Sequence, residues 1–200
     1  MGRTGDTRER IVRTSARLLL SRSYGSVSVD DVCTAADVRK GSFYHFFPSK
    51  AELAKAVVDL HTDALIDRLA ATSGESAAAR LHGVADAVGA IQARFESTFG
   101  RVVGCPFGNL AAELSTVDDA LRDHLASAFA RWEREFAVIC HRAQQDGALR
   151  DGVDPDRLAH SLLAHTQGQI LLAKVGGHSA ADVATTLHDL IDVHLREGAV

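Results

Sequence analysis

Apolar residues recur at helical spacing along almost all of this 200-residue chain, and strand-type alternation is scarce, which restricts the fold to packed helices. In the first such stretch Ile11, Ala16, Leu18, Leu19 and Leu20 form an apolar stripe, with Arg8, Arg10, Arg13 and Arg17 on the other side. Prolines, which would break such a pattern, number only three. The spacing predicts an all-α chain with helices over about 6–22, 29–35, 39–46, 50–71, 76–98, 106–114, 118–145, 155–174 and 180–197. Breaks fall where side-chain chemistry favours them. Gly25 is expected to take a positive φ and stop the first helix, and Ser28, Ser49 and the Asp154-Pro155 pair read as helix starts. Asp30 and Asp31 complement the positive end of the second helix. Thr72-Ser73-Gly74 reads as a linker, and Gly176-Gly177 with Ser179 marks the last break.

A hydrophobic fraction of 46% over this length is enough to bury a core. The opening residues, MGRTGDTRER, are not an apolar leader, and no window approaches the roughly 18 uninterrupted apolar residues of a membrane span. Three cysteines without a CxxC pair do not make a closed disulfide framework and suit a reducing compartment. A cytoplasmic protein without membrane association is expected. Net charge is −4, but residues 1–50 hold nine Lys and Arg against five Asp and Glu, so a head of +4 precedes a remainder of −8. A basic head on an acidic body points to a polyanionic partner.

Two brief helices joined by the turn Ala36-Asp37-Val38 have the spacing of a helix-turn-helix. A short helix that enters the major groove by its N-terminal end needs small residues where backbone meets phosphate, and Gly41 and Ser42 supply them. Arg39 and Lys40 have the reach for guanine edges or phosphates, and Tyr44 and His45 offer donors on the next turn. Ser28 and Lys50, at helix N-termini, are expected to clamp phosphate. Phe43 and Phe46 have the spacing of buried anchors.

The segment VCTAADVRKGSFYHFFPSKAEL, residues 32–53, resembles the DNA-binding domain of the TetR/AcrR family of transcriptional regulators. Ala36, Val38, Gly41, Ser42, Phe43, Tyr44, Phe46, Lys50, Glu52 and Leu53 carry the resemblance, and two positions depart from it. Asp37 stands where a turn glycine is usual, and Arg39 replaces the usual Ser or Thr; aspartate tolerates left-handed backbone better than most residues. The resemblance implies an N-terminal three-helix DNA-binding domain over 1–52, a connecting helix over about 50–71, and an effector-sensing and dimerisation domain over 53–200. It also implies a homodimer on a palindromic double-stranded operator, with two recognition helices about 34 Å or more apart. The last two long helices would form the dimer interface. Leu158, Leu162, Leu187, Leu190, Ile191 and His194 are its candidates, with Gly168 permitting close approach.

Gly104-Cys105-Pro106 opens a helix, so Cys105 sits where the dipole's positive end favours thiolate. Lys174 ends the apolar run Ile170-Leu171-Leu172-Ala173, either as a snorkelling end residue or as a buried cation. Residues 104–113 and 168–174 resemble a TetR subgroup that includes the N-ethylmaleimide reductase repressor, which implies sensing of electrophiles or oxidants through Cys105 and Lys174. The competing expectation is an apolar small-molecule pocket lined by Phe95, Phe99, Phe107, Leu110, Trp132, Phe136 and Leu171, with His165 and Gln169 as polar contacts. Cys33 and Cys140 read as core.

No metal or cofactor is expected. The pairs His160 with His165 and His188 with His194 miss the spacing that shares a helical face. A cysteine-dependent enzyme using Cys105, activated by His141 or His165, is the alternative from another class, but no nucleophile motif surrounds the cysteine and such an enzyme leaves the basic head unexplained.

Overall fold

The computed structural model describes residues 3–71 and 76–198. Their helices are α1 (Arg3–Ser21), α2 (Val29–Ala35), α3 (Lys40–Phe46), α4 (Lys50–Ala70), α5 (Ala77–Phe99), α6 (Pro106–Leu114), α7 (Asp119–Gln145), α8 (Pro155–Gly176) and α9 (Ala180–Asp192). The expected linker Thr72-Ser73-Gly74 lies outside the described residues. One compact unit comprises 1–62 with 105–128, and the other 63–104 with 129–200, so two of the three divisions fall inside α4 and α7 and the third just before α6.

In the first unit Ile11, Leu19, Val32, Phe43, Phe47 and Leu53 share one core. Ser28 caps α2 in a capping box, accepting from the Asp31 N–H while the Asp31 carboxylate accepts from the Ser28 N–H. The end of α2 is a Schellman motif. The Val38 N–H donates to the Cys33 carbonyl at 3.0 Å and the Asp37 N–H to that of Thr34 at 3.3 Å. Asp37 occupies the left-handed position with a φ of 50°, the one non-glycine among the described residues with a positive φ. The preceding turn differs from expectation. Gly25 has no left-handed φ; α1 stops at Ser21, and Gly25 lies inside a 3-10 turn over Tyr24–Ser26. Arg22 satisfies that turn by donating to the Ser26 carbonyl at 2.6 Å.

In the second unit α5 and α8 both pack on α9. Gly89 is required there, since a Cβ on it would lie 2.7 Å from the Cβ of Ala184. The last helix is shorter than expected, ending at Asp192 instead of Glu197. Its continuation is paired elsewhere: the Arg150 N–H donates to the His194 carbonyl and the Arg196 N–H to that of Ala148, each at 2.9 Å, around an antiparallel bridge between Leu149 and Leu195. The two arginines reinforce it reciprocally, each Nε donating to the bridge carbonyl opposite. No periodicity signals such a tether, because its partners are some 45 residues apart.

Asp37 in a left-handed conformation costs about 1 kcal/mol relative to glycine. Asp37→Gly is therefore expected to raise stability by about that amount with an unchanged fold, and Asp37→Val to lower it, as measured by urea unfolding.

Candidate nucleic-acid interface

The second helix of the helix-turn-helix is α3, and its inner side is set by apolar burial. Phe43 is fully buried and Phe47 nearly so, with ring centroids 5.9 Å apart. The expected second anchor was Phe46, which is only half-buried against the core. Phe47, the α3 C-cap, takes the buried place because it is four residues after Phe43 and therefore on the same face. Arg8 places its guanidinium 5.3 Å from the Phe47 ring centre, and Arg10 donates to the Ala36 carbonyl at 2.9 Å, which joins α1 to the end of α2.

With that side buried, Arg39, Lys40, Gly41, Ser42, Tyr44 and His45 are all exposed, and Tyr44 keeps 49% of its surface open. Arg39 is the α3 N-cap without a side-chain capping bond. Gly41 has no left-handed φ, and a Cβ on it would meet nothing within 4 Å beyond its chain neighbours and the helix's own backbone. Nothing inside the chain requires glycine there. Lys40 is drawn to Asp30 on α2, with Nζ 2.8 Å from Oδ1, and that carboxylate raises the lysine's pKa. Asp30 is thus a member of this surface that sequence reasoning treated only as a helix-dipole residue. The pair lies across two helices at a separation of ten, where no helical spacing links it.

Two expected phosphate clamps have other partners. The Lys50 Nζ donates to the carbonyls of Tyr24 and Val27, both at 2.9 Å, and stands 3.9 Å from the centre of the Tyr24 ring. Two of its donors are directed inward, and burial lowers its pKa. Lys50 is therefore a brace for the turn between α1 and α2. The Ser28 hydroxyl is likewise engaged with Asp31, donating to Oδ2 at 2.7 Å.

The expected sensing residues are distributed over both units. In the first, Cys105 is the N-cap of α6, with 4% of its surface exposed, and Phe107 and Leu110 are buried in the same helix. In the second, Trp132 and Phe136 are buried, Phe95, Phe99 and Gln169 are half-buried, and Lys174 is exposed near the end of α8. Leu171 is not an interior lining residue, being 58% exposed. The His165 Nε2 lies 3.1 Å from the Thr186 carbonyl, which ties α8 to α9. None of the three cysteines is in a disulfide. Burial, with a smaller effect of the Asp156 charge, pushes the Cys140 thiol up to about 12, and burial also raises Cys33. Both are poor nucleophiles at neutral pH. Among the described residues no cluster of three or more His, Cys, Asp or Glu is arranged to hold a metal.

The family model "Bacterial regulatory proteins, tetR family" matches residues 11–57, and "Tetracyclin repressor-like, C-terminal domain" matches residues 77–187. The chain belongs to the TetR family of transcriptional regulators. Its similarity to the HTH-type transcriptional repressor DhaR of Mycobacterium sp. (strain GP1) is 31% identity over 88% of this chain and 85% of DhaR. The HTH-type transcriptional repressor NemR of Escherichia coli is 28% identical over 85% of this chain and 85% of NemR. A crystal structure of regulatory protein TetR from Rhodobacter sphaeroides superposes with a TM-score of 0.81 at 29% identity, covering 94% of this chain and 98% of the other. As a TetR regulator this is an all-helical, DNA-binding transcription factor and not an enzyme. Among the described residues no TetR helix is long and apolar enough to cross a membrane.

Since the space around Gly41 is open, Gly41→Ala is expected to stabilise the free protein by about 0.5 kcal/mol. DNA affinity is expected to fall about tenfold, equivalent to one charge-assisted hydrogen bond to phosphate of about 1.5 kcal/mol. Thermal unfolding and fluorescence anisotropy on the same preparations check the opposed signs.

Proposed function

We propose that the protein is a homodimeric repressor that reads a palindromic operator with α3 and leaves it on a small-molecule, electrophile or oxidant signal. The observation that carries the DNA-reading half is the two-sidedness of α3: Phe43 buried beneath, and Arg39, Gly41, Ser42, Tyr44 and His45 open above. Lys40 joins this contact set by exchanging Asp30 for a phosphate. Lys50 and Ser28 contribute through the backbone N–H groups they position, since their side chains are engaged within the chain.

Support for the dimer comes from only part of the set that spacing suggested, since Leu190 and His194 are half-buried and Gly168 is exposed. Leu158, Leu162, Leu187 and Ile191 are at most 3% exposed within the single chain, so they belong to the subunit's own core. The exposed stripe of α8 runs instead through Gly168, Leu171, Leu172 and Val175, with the leucines 58% and 59% open and the valine 80%. Apolar residues three, four and seven positions apart on one helix face form the kind of surface that a second copy covers. Leu171→Glu is expected to convert dimer to monomer in sedimentation velocity and to abolish retardation of the operator.

The signalling half is supported by the position of Cys105 at a helix N-terminus, followed by Pro106. The positive end of a helix dipole lies at that position. Within the second unit, Lys174 and the aromatic residues are candidates of their own for holding an effector. A mobility shift on the DNA flanking the gene, with and without peroxide or a maleimide, tests the whole reading. Retention of DNA affinity with loss of oxidant-induced release is expected for Cys105→Ser. Normal release by that variant would exclude the thiol and leave a bound small molecule as the signal.

A further inference from the structure

In the second unit α5 and α9 run antiparallel, since their contacts pair Glu96 with Ala180, Gly89 with Ala184, Asp86 with His188 and His82 with Asp192. Asp86 lies four residues after His82, and Asp192 four after His188, so each helix offers one histidine and one aspartate on a single face. The antiparallel register crosses the pairs. The His82 Nε2 stands 3.2 Å from the Asp192 Oδ1, and the His188 Nε2 3.1 Å from the Asp86 Oδ1. Between the two rings the Nδ1 atoms approach to 2.8 Å.

A neutral imidazole has one N–H and one lone pair, and an ionised carboxylate only accepts. Each Nε2 therefore carries the hydrogen that its aspartate receives, and each Nδ1 is left with a lone pair. Two lone pairs at 2.8 Å repel, so a cation must stand between them, either a proton or a metal ion. A carboxylate on the far nitrogen is also what a metal-bound histidine ordinarily has, because it fixes the tautomer and the ring orientation. Two metal–nitrogen bonds of about 2.0–2.1 Å at a tetrahedral angle span roughly 3.3 Å, so an opening of about 0.5 Å admits such an ion. Imidazole nitrogen suits zinc, copper or nickel, and not calcium or magnesium. The His82 and His188 side chains keep 21% and 31% of their surface open, which leaves room for water to complete the coordination.

We propose that His82 and His188 are the two protein ligands of a divalent transition-metal site, coordinating through Nδ1, with Asp86 and Asp192 as positioning residues that hold the rings. An ion there takes the place of the bridging proton and clips α5 to α9 within one subunit. Only two side chains face the gap, so the site is open, unlike a closed structural site of four ligands. The two histidines lie 106 positions apart in the chain, and spacing along either helix gives no sign of the pair. The assignment is independent of the DNA-reading and cysteine proposals, which use none of these four residues.

The test uses the full chain stripped of metal by a chelator, with Zn²⁺ and Cu²⁺ as probes. Isothermal titration with Zn²⁺ is expected to show an equivalent that His82→Gln and His188→Gln both lose, and Cu²⁺ bound to the parent is expected to show nitrogen hyperfine splitting from two imidazoles. Asp86→Asn and Asp192→Asn are expected to keep that equivalent but to bind it about tenfold or more weakly. Zn²⁺ is also expected to raise the unfolding temperature of the parent and not that of the histidine variants, since an ion bound only by the folded state stabilises it. The two aspartates are 67% and 58% exposed, so their substitution leaves the fold intact and keeps the assignment testable even where a histidine variant fails to fold. A cluster bridged only by a proton would change the metal-free unfolding temperature on substitution and give the parent no zinc-dependent gain over the variants. That result overturns the metal site, as does Zn²⁺ binding of equal affinity and stoichiometry in the parent and both histidine variants. Unchanged affinity in both aspartate variants overturns the positioning role of the carboxylates.

Discussion

The burial of Phe43 is the interaction on which the head depends. Removing a fully buried phenylalanine ring from a core costs about 3–5 kcal/mol, a large fraction of the stability of a small domain. That burial, shared with Phe47 and Leu53, determines the rotation of α3 about its own axis. Everything exposed on α3 is exposed because these side chains are not. Two further devices set where the helix begins. The Schellman turn at Asp37 directs the chain from α2 into α3, and Arg10 holds the carbonyl of Ala36 at the corner.

Charge is used economically around this frame. Lysines and aspartates in the head are mostly engaged with backbone or with one another: Lys50 with two carbonyls, Asp31 with Ser28, Lys40 with Asp30. The exposed pair Lys40–Asp30 adds little to stability. Lys50 is the opposite case. Its ammonium is partly desolvated, and Lys50 holds the turn that positions α2.

Much of the architecture was legible in the residues. The helix spans of α2 and α6 came from capping chemistry at Ser28 and Pro106, and both match to the residue. The family resemblance rested on residues 32–53, and the family models match around and beyond them. Side-chain partners across helices were not legible. Apolar periodicity marks Leu158, Leu162, Leu187 and Ile191 as facing something, but it does not distinguish the subunit's own core from a second subunit. For the same reason Phe46 and Phe47 exchanged roles, since both lie near the edge of the buried face.

What the sequence determined by itself was local. Periodicity, N-caps, prolines and the Gly41-Ser42 pair specify helices and a place for close backbone approach, because these depend on residues three or four apart. The tertiary structure decided which carboxylate meets which amine, and which apolar face stays open. Asp30 with Lys40, Glu113 with Gly25, and the tether between Leu149 and Leu195 join residues from ten to 88 positions apart. Packing brings such groups together, and no short-range pattern encodes them.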